Sequence, residues 1–293
     1  MEALLIGDLT IDNNESNGES YIGPGGSVYF AANIFNNFGI SPTIVSSYGA
    51  DFKKIWLENF DIIPPVPTFE KTLVFRNIYH KGYSRKQFVL NTNNAKPIDL
   101  ESLPSDTLEK SNIVFVAPLL NHYTEEYFLT LNQISTGKLK VLLPQGMFRS
   151  EDSYGLVKRV CWNNAQNIIK NFDIIAFSKE DTKNPDKLGE HWSSFGPIVI
   201  VTKDHEGCSI FFDKKRIDLK AFKIDQICDS TGAGDIFASS FAFAYSKTNN
   251  IRISGNFANA AAGLSLRFHS DRLKYKLEDV ISFAKEQGVK LEL

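Results

Sequence analysis

The segment Asp229-Ser230-Thr231-Gly232-Ala233-Gly234-Asp235, followed by an apolar run over residues 236–245, constrains this chain more than any other part of it. Two glycines around one alanine let the backbone turn sharply and leave its N–H groups uncovered. The apolar run predicts a helix, whose first N–H groups have no intrahelical acceptor and carry partial positive charge. The segment therefore predicts a pocket for an anion, most often a phosphate.

Asp235 lies inside this predicted pocket. A carboxylate beside a phosphate is electrostatically unfavourable unless it takes part in chemistry. The chemistry that suits it is removal of a proton from a hydroxyl that attacks phosphorus. The alternative interpretation is a glycine turn whose aspartate only caps a helix.

Composition and charge narrow the class of protein. The chain has 293 residues, of which 43% are hydrophobic and 23% charged, which fits one large domain or one large domain with a small appendage. A net charge of −2 argues against a nucleic-acid partner, and no apolar stretch is long enough to span a bilayer. The N-terminus has no signal-peptide pattern, and three scattered cysteines predict reduced thiols, so we expect a cytoplasmic protein.

Short apolar runs alternate with helical patterns along the chain. Strands buried on both faces read as such runs, and they predict a parallel sheet covered by helices. The predicted strands are 3–6, 43–47, 113–117, 141–143, 174–177 and 198–202. The predicted helices are 27–38, 125–135, 154–171, 237–246, 256–268 and 277–287, with Gly39 and Gly288 as the residues that end two of them. This alternation predicts a doubly wound α/β sheet.

One region departs from this alternation. Residues 68–90 read as two alternating strands around a Lys81-Gly82 turn, and residues 10–22 could join them in a small antiparallel sheet. We therefore assign residues 1–9, 23–66 and 98–293 to an α/β core, and residues 10–22 and 67–97 to a small β lid. The alternative is a surface hairpin with no role.

A second glycine turn lies near the N-terminus, where Gly25 and Gly26 open the predicted helix at Ser27. Glycines at a helix start allow a ligand to approach the backbone closely. On its own, such a turn is more often a plain loop.

Together these elements resemble the ribokinase-like, or PfkB, family of carbohydrate kinases. The resemblance rests on Gly7-x-x-x-x-Asp12, on Gly25-Gly26 before a helix, and on the Asp229 to Asp235 segment, in the family's order over nearly the whole chain. It implies a three-layer α/β/α sandwich with a mostly parallel sheet and a small β-sheet lid. It also implies transfer of the γ-phosphoryl group of ATP to an alcohol, with Mg²⁺ as cofactor.

The resemblance assigns roles to individual residues. Asp235 is implied as the general base, and Gly232, Ala233 and Gly234 as the N–H donors that stabilise the transferred phosphoryl, which are the roles that the residues themselves suggest. Asp12 is implied as a ligand of acceptor hydroxyls, with its neighbour Asp8 as a further candidate beside the Gly25-Gly26 turn. The alternative for Asp8 and Asp12 is capping or turn formation at a strand end.

The nucleotide side is implied by four positions, namely Ser178, Thr202, Gly207 and Asn259. Asp181 matches the position that orders magnesium-bound water, with Glu180 as a competing candidate. Asp229 and Thr231 match positions whose carbonyls hold a monovalent cation, so K⁺ is a candidate cofactor. The alternatives are loop structure for Asp229 and Thr231 and a polar packing face for Asn259.

Three positions depart from the family pattern. Phe30 stands where the family commonly has a sugar-binding asparagine, Ser178 begins the segment that usually reads N-x-x-E, and Asp204 replaces a glycine. These changes leave the acceptor open.

A further segment points to a subgroup. Gln145 and Arg149, in Pro-Gln-Gly-Met-Phe-Arg after a strand end, together with the lid pattern resemble family members that act on cyclitols such as myo-inositol. Arg149 could offer a planar fork to hydroxyls or phosphate, or could tie a loop to a carboxylate.

These observations predict an ATP-dependent kinase of a sugar or polyol, with a small-molecule acceptor and a homodimer formed through the lid. Two alternatives stay open. One is a nucleoside or vitamin kinase on the same scaffold, and the other is a nucleotide-binding regulator that has lost catalysis.

Overall fold

Strands and helices alternate through most of the chain. The structure is a computed structural model that describes residues 1–16, 19–79 and 86–293. The strands are β1 (Glu2–Gly7), β2 (Thr10–Ser16), β3 (Glu19–Gly25), β4 (Ser41–Val45), β5 (Asp61–Ile63), β6 (Leu73–Tyr79), β7 (Lys86–Leu90), β8 (Ser111–Ala117), β9 (Leu139–Leu142), β10 (Arg149–Glu151), β11 (Val157–Arg159), β12 (Ile174–Ser178), β13 (Ile198–Thr202), β14 (Cys208–Phe212) and β15 (Lys215–Leu219). The helices are α1 (Ser27–Asn37), α2 (Ser105–Lys110), α3 (Glu125–Ile134), α4 (Gln166–Ile169), α5 (Pro185–Ser193), α6 (Ala233–Thr248), α7 (Ile251–Ser265) and α8 (Leu277–Glu286).

The main sheet has nine strands in the order β15-β14-β13-β12-β9-β8-β1-β4-β5. Strands β13 to β5 in this order are parallel, whereas β14 and β15 add an antiparallel edge. All six strands predicted from apolar runs lie in the parallel part. Because parallel strands end at the same edge, Gly7 and Ala117 are neighbours there, as are Ser178 and Thr202.

Helices cover both faces of this sheet. Helices α1, α6, α7 and α8 bury their apolar residues against one face, where Phe35, Phe241 and Phe257 are part of the core. Helices α3, α4 and α5 pack on the other face through residues such as Phe128 and Trp192. This confirms the predicted α/β/α sandwich, since strands covered on both sides can be apolar throughout.

Most predicted helices form close to their expected positions. Gly39 and Gly288 follow α1 and α8 with φ of 76° and 80°, the left-handed conformation that ends a helix. Helix α7 begins at Ile251, five residues before its expected start at 256, because the Asn250 side chain accepts a hydrogen bond from the Ile253 N–H and caps it.

The prediction of a helix over residues 154–171 is wrong. Strand β11 instead pairs with β10, and only Gln166–Ile169 is helical. Trp162 packs edge-on against Trp192, at 5.6 Å between ring centres, and Asn164 has a φ of 59° that interrupts any helix. The apolar spacing of the segment therefore serves several partners rather than one helical face.

A second sheet of four strands, in the order β3-β2-β6-β7, forms the lid. Two antiparallel pairs are joined by parallel pairing of β2 with β6, so the sheet is mixed rather than antiparallel as expected. Strand β3 continues to Gly25, past the boundary predicted at residue 22. Strand β7 is covered on its outer side, where the Val89 N–H donates to the Gly155 carbonyl at 2.8 Å. The predicted Lys81-Gly82 turn lies outside the described residues.

Candidate active site

A cleft of about 990 Å³ lies between the lid and the strand ends of the core. Helix α6 begins at its edge, after Gly232, which has a φ of 75°. A side chain at Gly232 would place its Cβ 2.6 Å from the Phe30 ring, so only glycine fits. The backbone at 232–234 thus approaches the cleft with the positive end of α6, as the sequence predicts for an anion site.

Asp235 lies in the first turn of α6 and lines the cleft. Burial raises the pKa of its carboxyl from the ordinary 3.8 to about 6, and the charges of Asp12 and Asp181 act in the same direction. A hydrogen bond from Ser27 and the charge of Arg149 lower it in part. The carboxyl is therefore a stronger base than a free aspartate and still ionised at neutral pH.

The part of the cleft beneath the lid is lined by polar side chains and by aromatic rings, among them Tyr79 of β6. Asp12 accepts a hydrogen bond from the Thr10 hydroxyl at 2.8 Å, and its carboxyl lies against Gly25, where a Cβ would be 2.2 Å away. Gly25 thus acts through Asp12, whereas Gly26 lines the cleft directly. Further lining side chains there are Phe30, Phe75, Asn77, Gln87, Gln145 and Arg149.

Arg149 is a buried cation among the described residues of this region, with only 9% of its surface exposed. Its guanidinium lies over the Phe75 ring at 5.5 Å and donates to the Leu119 carbonyl at 3.4 Å. Because it also lowers the pKa of Asp235, it lies within electrostatic reach of the carboxylate. A buried guanidinium facing a cleft is suited to oxygen-rich ligands.

Asp8 takes a different position from the one expected. Its carboxylate does not line the cleft but accepts the Leu119 N–H at 2.7 Å, at the end of the neighbouring strand β8. Burial raises the pKa of Asp8 to about 6, against the lowering effect of the Leu119 N–H and the charge of His122. Asp8 therefore ties two strand ends together, and its contact with an acceptor stays a prediction.

The opposite part of the cleft is lined by both polar and apolar side chains. Ser178 and Thr202 lie at the ends of β12 and β13, and Gly207 and Asn259 also line this part. The Asn259 amide donates to the Lys220 carbonyl at 3.4 Å. The apolar side chains that line it are Ala221, Ile224, Ile227, Ala262 and Leu266. Apolar side chains beside the polar groups of Ser178, Thr202 and Asn259 suit a flat heterocycle.

Asp181 lies between the two parts. Its carboxylate accepts the Ser178 N–H at 2.8 Å, and its charge raises the pKa of Asp235. The adjacent Glu180 also lines the cleft. Asp204, in the place of the family's glycine, adopts a φ of 51° and pairs with Lys179 at 3.4 Å.

Asp229 does not line the cleft. Its carboxylate accepts the N–H groups of Thr231 at 2.9 Å and Ser270 at 3.0 Å. Burial alone would raise the pKa of Asp229, but these hydrogen bonds outweigh it and hold the pKa below the ordinary value. Asp229 therefore fixes the loop before α6, and Thr231 lines the cleft.

Sequence reasoning missed two kinds of residue at this site. Ser27 hydrogen bonds to Asp235, and its place directly after Gly25-Gly26 was the available indication. Asn77 and Gln87 on the lid line the cleft, and their alternation on adjacent strands gave no indication of chemistry.

Within residues 1–16, 19–79 and 86–293, no cluster of three or more metal-ligating side chains is present. The same ranges contain no helix long and apolar enough to cross a membrane.

The fold and cleft define an α/β kinase-like class, and comparisons identify the family. The chain matches the pfkB family carbohydrate kinase over residues 82–276, and it therefore belongs to that family. A cytidine kinase of Thermococcus kodakarensis is 22% identical over 262 residues, covering 84% of this chain and 89% of the relative.

Solved structures show the same fold. A sulfate complex of a pyrophosphate-dependent kinase in the ribokinase family aligns with a TM-score of 0.75 and 17% identity, over 91% of this chain and 95% of that one. A pyrophosphate-dependent kinase of that family complexed with a pyrophosphate analog and myo-inositol aligns with a TM-score of 0.72 and 16% identity, over 91% and 95%.

Proposed function

We propose that this pfkB-family kinase transfers the γ-phosphoryl group of ATP to an alcohol hydroxyl of a polyol, with Asp235 as the general base. The observation that carries the proposal is the placement of Asp235 in the first turn of α6, where burial raises its pKa to about 6. A base with that pKa is ionised at neutral pH and accepts a proton more readily than an ordinary aspartate.

In the proposed reaction, Asp235 takes the proton of the acceptor hydroxyl as its oxygen bonds to the γ-phosphorus. The bond from phosphorus to the β–γ bridging oxygen breaks, and ADP leaves with that electron pair. The N–H groups at residues 232–234 and the dipole of α6 stabilise the charge on the transferred group. Ser27 orients the Asp235 carboxylate through its hydrogen bond.

The apolar side chains that line the opposite part of the cleft favour ATP over pyrophosphate as the donor. Pyrophosphate is entirely charged and would leave Ile224, Ala262 and Leu266 without a partner, whereas an adenine ring would cover them. Ser178, Thr202, Gly207 and Asn259 are the polar groups proposed to orient the nucleotide.

Magnesium suits the charge of the cleft. Asp12 and Asp181 both raise the pKa of Asp235, so the negative charge gathered there favours a bound cation with oxygen ligands. Asp181 is the residue proposed to hold Mg²⁺ through water, and the ion would neutralise the phosphate oxygens when bound. Binding of K⁺ by the carbonyls of Asp229 and Thr231 stays a prediction.

The polar groups beneath the lid favour a cyclitol acceptor. Asp12, Asn77, Gln87, Gln145 and Arg149 surround one part of the cleft, and each can bond to hydroxyls. A ring that bears a hydroxyl on every carbon can satisfy many such groups at once. The myo-inositol bound by the kinase in the ribokinase family is a ring of this kind.

A nucleoside acceptor is the second candidate. The rings of Phe30 and Phe75 line the same part of the cleft and would give a nucleoside apolar contact at their edges. The relative named a cytidine kinase supports this candidate. A regulator that has lost catalysis is the third, and the presence of Asp235 beside the glycine loop argues against it.

The test is release of ADP from Mg·ATP with a panel that includes myo-inositol, ribose, fructose, cytidine, adenosine and pyridoxal. We expect turnover with the cyclitol that is abolished by Asp235→Asn. Turnover with only a nucleoside would replace the first candidate by the second. ATP binding without turnover on any acceptor would favour the regulator.

A further inference from the structure

A chain of side-chain hydrogen bonds crosses the lid and leaves it for the loop before α6. The Gln87 amide donates to the Asn77 oxygen at 2.8 Å, and the Asn77 amide donates to the Asn14 oxygen at 2.8 Å. The Asn14 amide then donates to the Thr231 hydroxyl oxygen at 3.4 Å. We call Gln87, Asn77, Asn14 and Thr231 the amide ladder.

The ladder has a direction. Asn14, Asn77 and Gln87 lie opposite one another on the adjacent strands β2, β6 and β7, so each amide faces the next. The Thr231 hydroxyl accepts from Asn14 and bonds in turn to the Asp229 carboxylate. Every donor therefore points toward one ionised carboxylate, which is the arrangement in which hydrogen bonds reinforce one another.

Burial fixes the orientation of these amides. Asn77 is only 2% exposed, and a buried amide must keep partners for both its oxygen and its nitrogen. Rotating any one amide would place two donors or two acceptors face to face. The position of the lid and the position of the Thr231 side chain are consequently coupled.

The two ends of the ladder lie at the site, whereas Asn14 does not. Asn77, Gln87 and Thr231 line the cleft, and Thr231 directly precedes Gly232. Asn14 is not among the lining residues, and its amide hydrogen bonds to the loop at the Thr231 hydroxyl. A ligand held by Asn77 or Gln87 would thus act on the glycine loop through Asn14.

Resting on the proposed kinase function, we propose that Asn14 is a positioning residue, which orders the 231–235 backbone through the Thr231 hydroxyl. The lid supplies the Asn14 hydrogen bond that holds Thr231, and the N–H groups after it are then aimed at the transferred phosphoryl. Loss of this bond leaves those N–H groups less ordered.

The experiment is a double-mutant cycle with Asn14→Leu and Thr231→Val, both close in shape to the residues they replace. Each single variant removes the bond between Asn14 and Thr231 together with one further bond, from Asn77 in the first variant and to Asp229 in the second. Each should lower kcat on the acceptor found by the panel by at least about 2- to 10-fold, the range for one neutral hydrogen bond. The KM for ATP should stay unchanged, and the double variant should lose less activity than the product of the two single losses. Independent, multiplying losses would overturn the proposal.

Hydrogen exchange of the unliganded protein supplies a readout that needs no turnover. Amides of residues 231–235 should exchange faster in either single variant than in the wild type. The control is Glu15→Gln, a change next to Asn14 on strand β2. It removes the ion pair between Glu15 and Arg76 of β6 and leaves the ladder intact. Unchanged exchange in the variants, or equally fast exchange in the control, would refute the coupling. A protein that is inactive on every acceptor would still show faster exchange in the variants. Failure of the kinase proposal can therefore be told apart from failure of the coupling.

Discussion

The Asp235→Asn variant should change the free energy of unfolding and the rate of catalysis in opposite directions. The pKa of Asp235, about 6, lies roughly two pH units above the ordinary 3.8. Since one pH unit corresponds to about 1.36 kcal/mol, ionising this carboxyl at neutral pH costs the folded state at most about 3 kcal/mol. In the variant, Ser27 and Arg149 lose the carboxylate as a partner, and this loss reduces the stability gained by removing the charge.

The sign of the pH dependence follows from the raised pKa. The folded protein holds this proton more tightly than the unfolded chain, so its stabilisation is complete below about pH 3.8 and is lost as the pH rises through about 6. Asparagine keeps the shape and never ionises. We therefore expect the variant to be more stable than the wild type at pH 8 and equally stable near pH 4.

Activity should change in the opposite direction. Loss of the base should lower kcat by about 10²- to 10⁴-fold while ATP still binds. In the wild type, kcat/KM should fall below about pH 6, where the free enzyme's Asp235 is protonated.

The assay combines urea unfolding at pH 4 and pH 8 with coupled ADP release over the same pH range. The matched control is Asp225→Asn, which makes the same chemical change at an exposed residue of the same cleft. Near-normal turnover of Asp235→Asn would refute the role of base. A variant less stable than the wild type at pH 8 would refute the argument from burial.

Three further predictions concern the surroundings of the site. Asp8→Asn should raise the free energy of unfolding at pH 8 and not at pH 4, by the same sign argument, since burial raises the pKa of Asp8 to about 6; urea titrations that show equal gains at both pH values would contradict it. Arg149→Gln should raise the acceptor KM by about 10- to 100-fold, as for loss of a hydrogen bond to a charged group. It should also move the acidic limb of the kcat/KM profile to higher pH, because the charge of Arg149 lowers the pKa of Asp235. An unmoved limb would exclude electrostatic contact between the two side chains. A homodimer through the lid should pair along β3, where Ile22 is 58% exposed, because β7 is covered by the Gly155 segment; sedimentation of Ile22→Asp should show monomer, and a persistent dimer would place the interface elsewhere.

Local sequence determined those parts of the fold that depend on short-range chemistry. The apolar runs predicted six of the seven parallel strands and missed only the short edge strand β5, because a strand buried on both faces needs no polar alternation. Gly39 and Gly288 marked helix ends because few other residues adopt a positive φ cheaply. The glycine loop predicted a helix close behind it, but α6 begins at Ala233, four residues before the predicted start at 237, and includes Asp235.

Only the tertiary structure decided which partner each ambiguous segment takes. The apolar residues between 154 and 171 fit a helical period, yet pairing of β11 with β10 and packing of Trp162 on Trp192 give the lower free energy. Asp8 follows β1 directly, yet its carboxylate meets the N–H of Leu119, a residue more than a hundred positions away in the chain. Asn14 and Thr231 likewise meet only after the lid packs on the core. A sequence pattern records the preference of a residue for burial or for a backbone angle, whereas the partner of a polar side chain is set by which distant atoms the packed core brings within hydrogen-bonding distance.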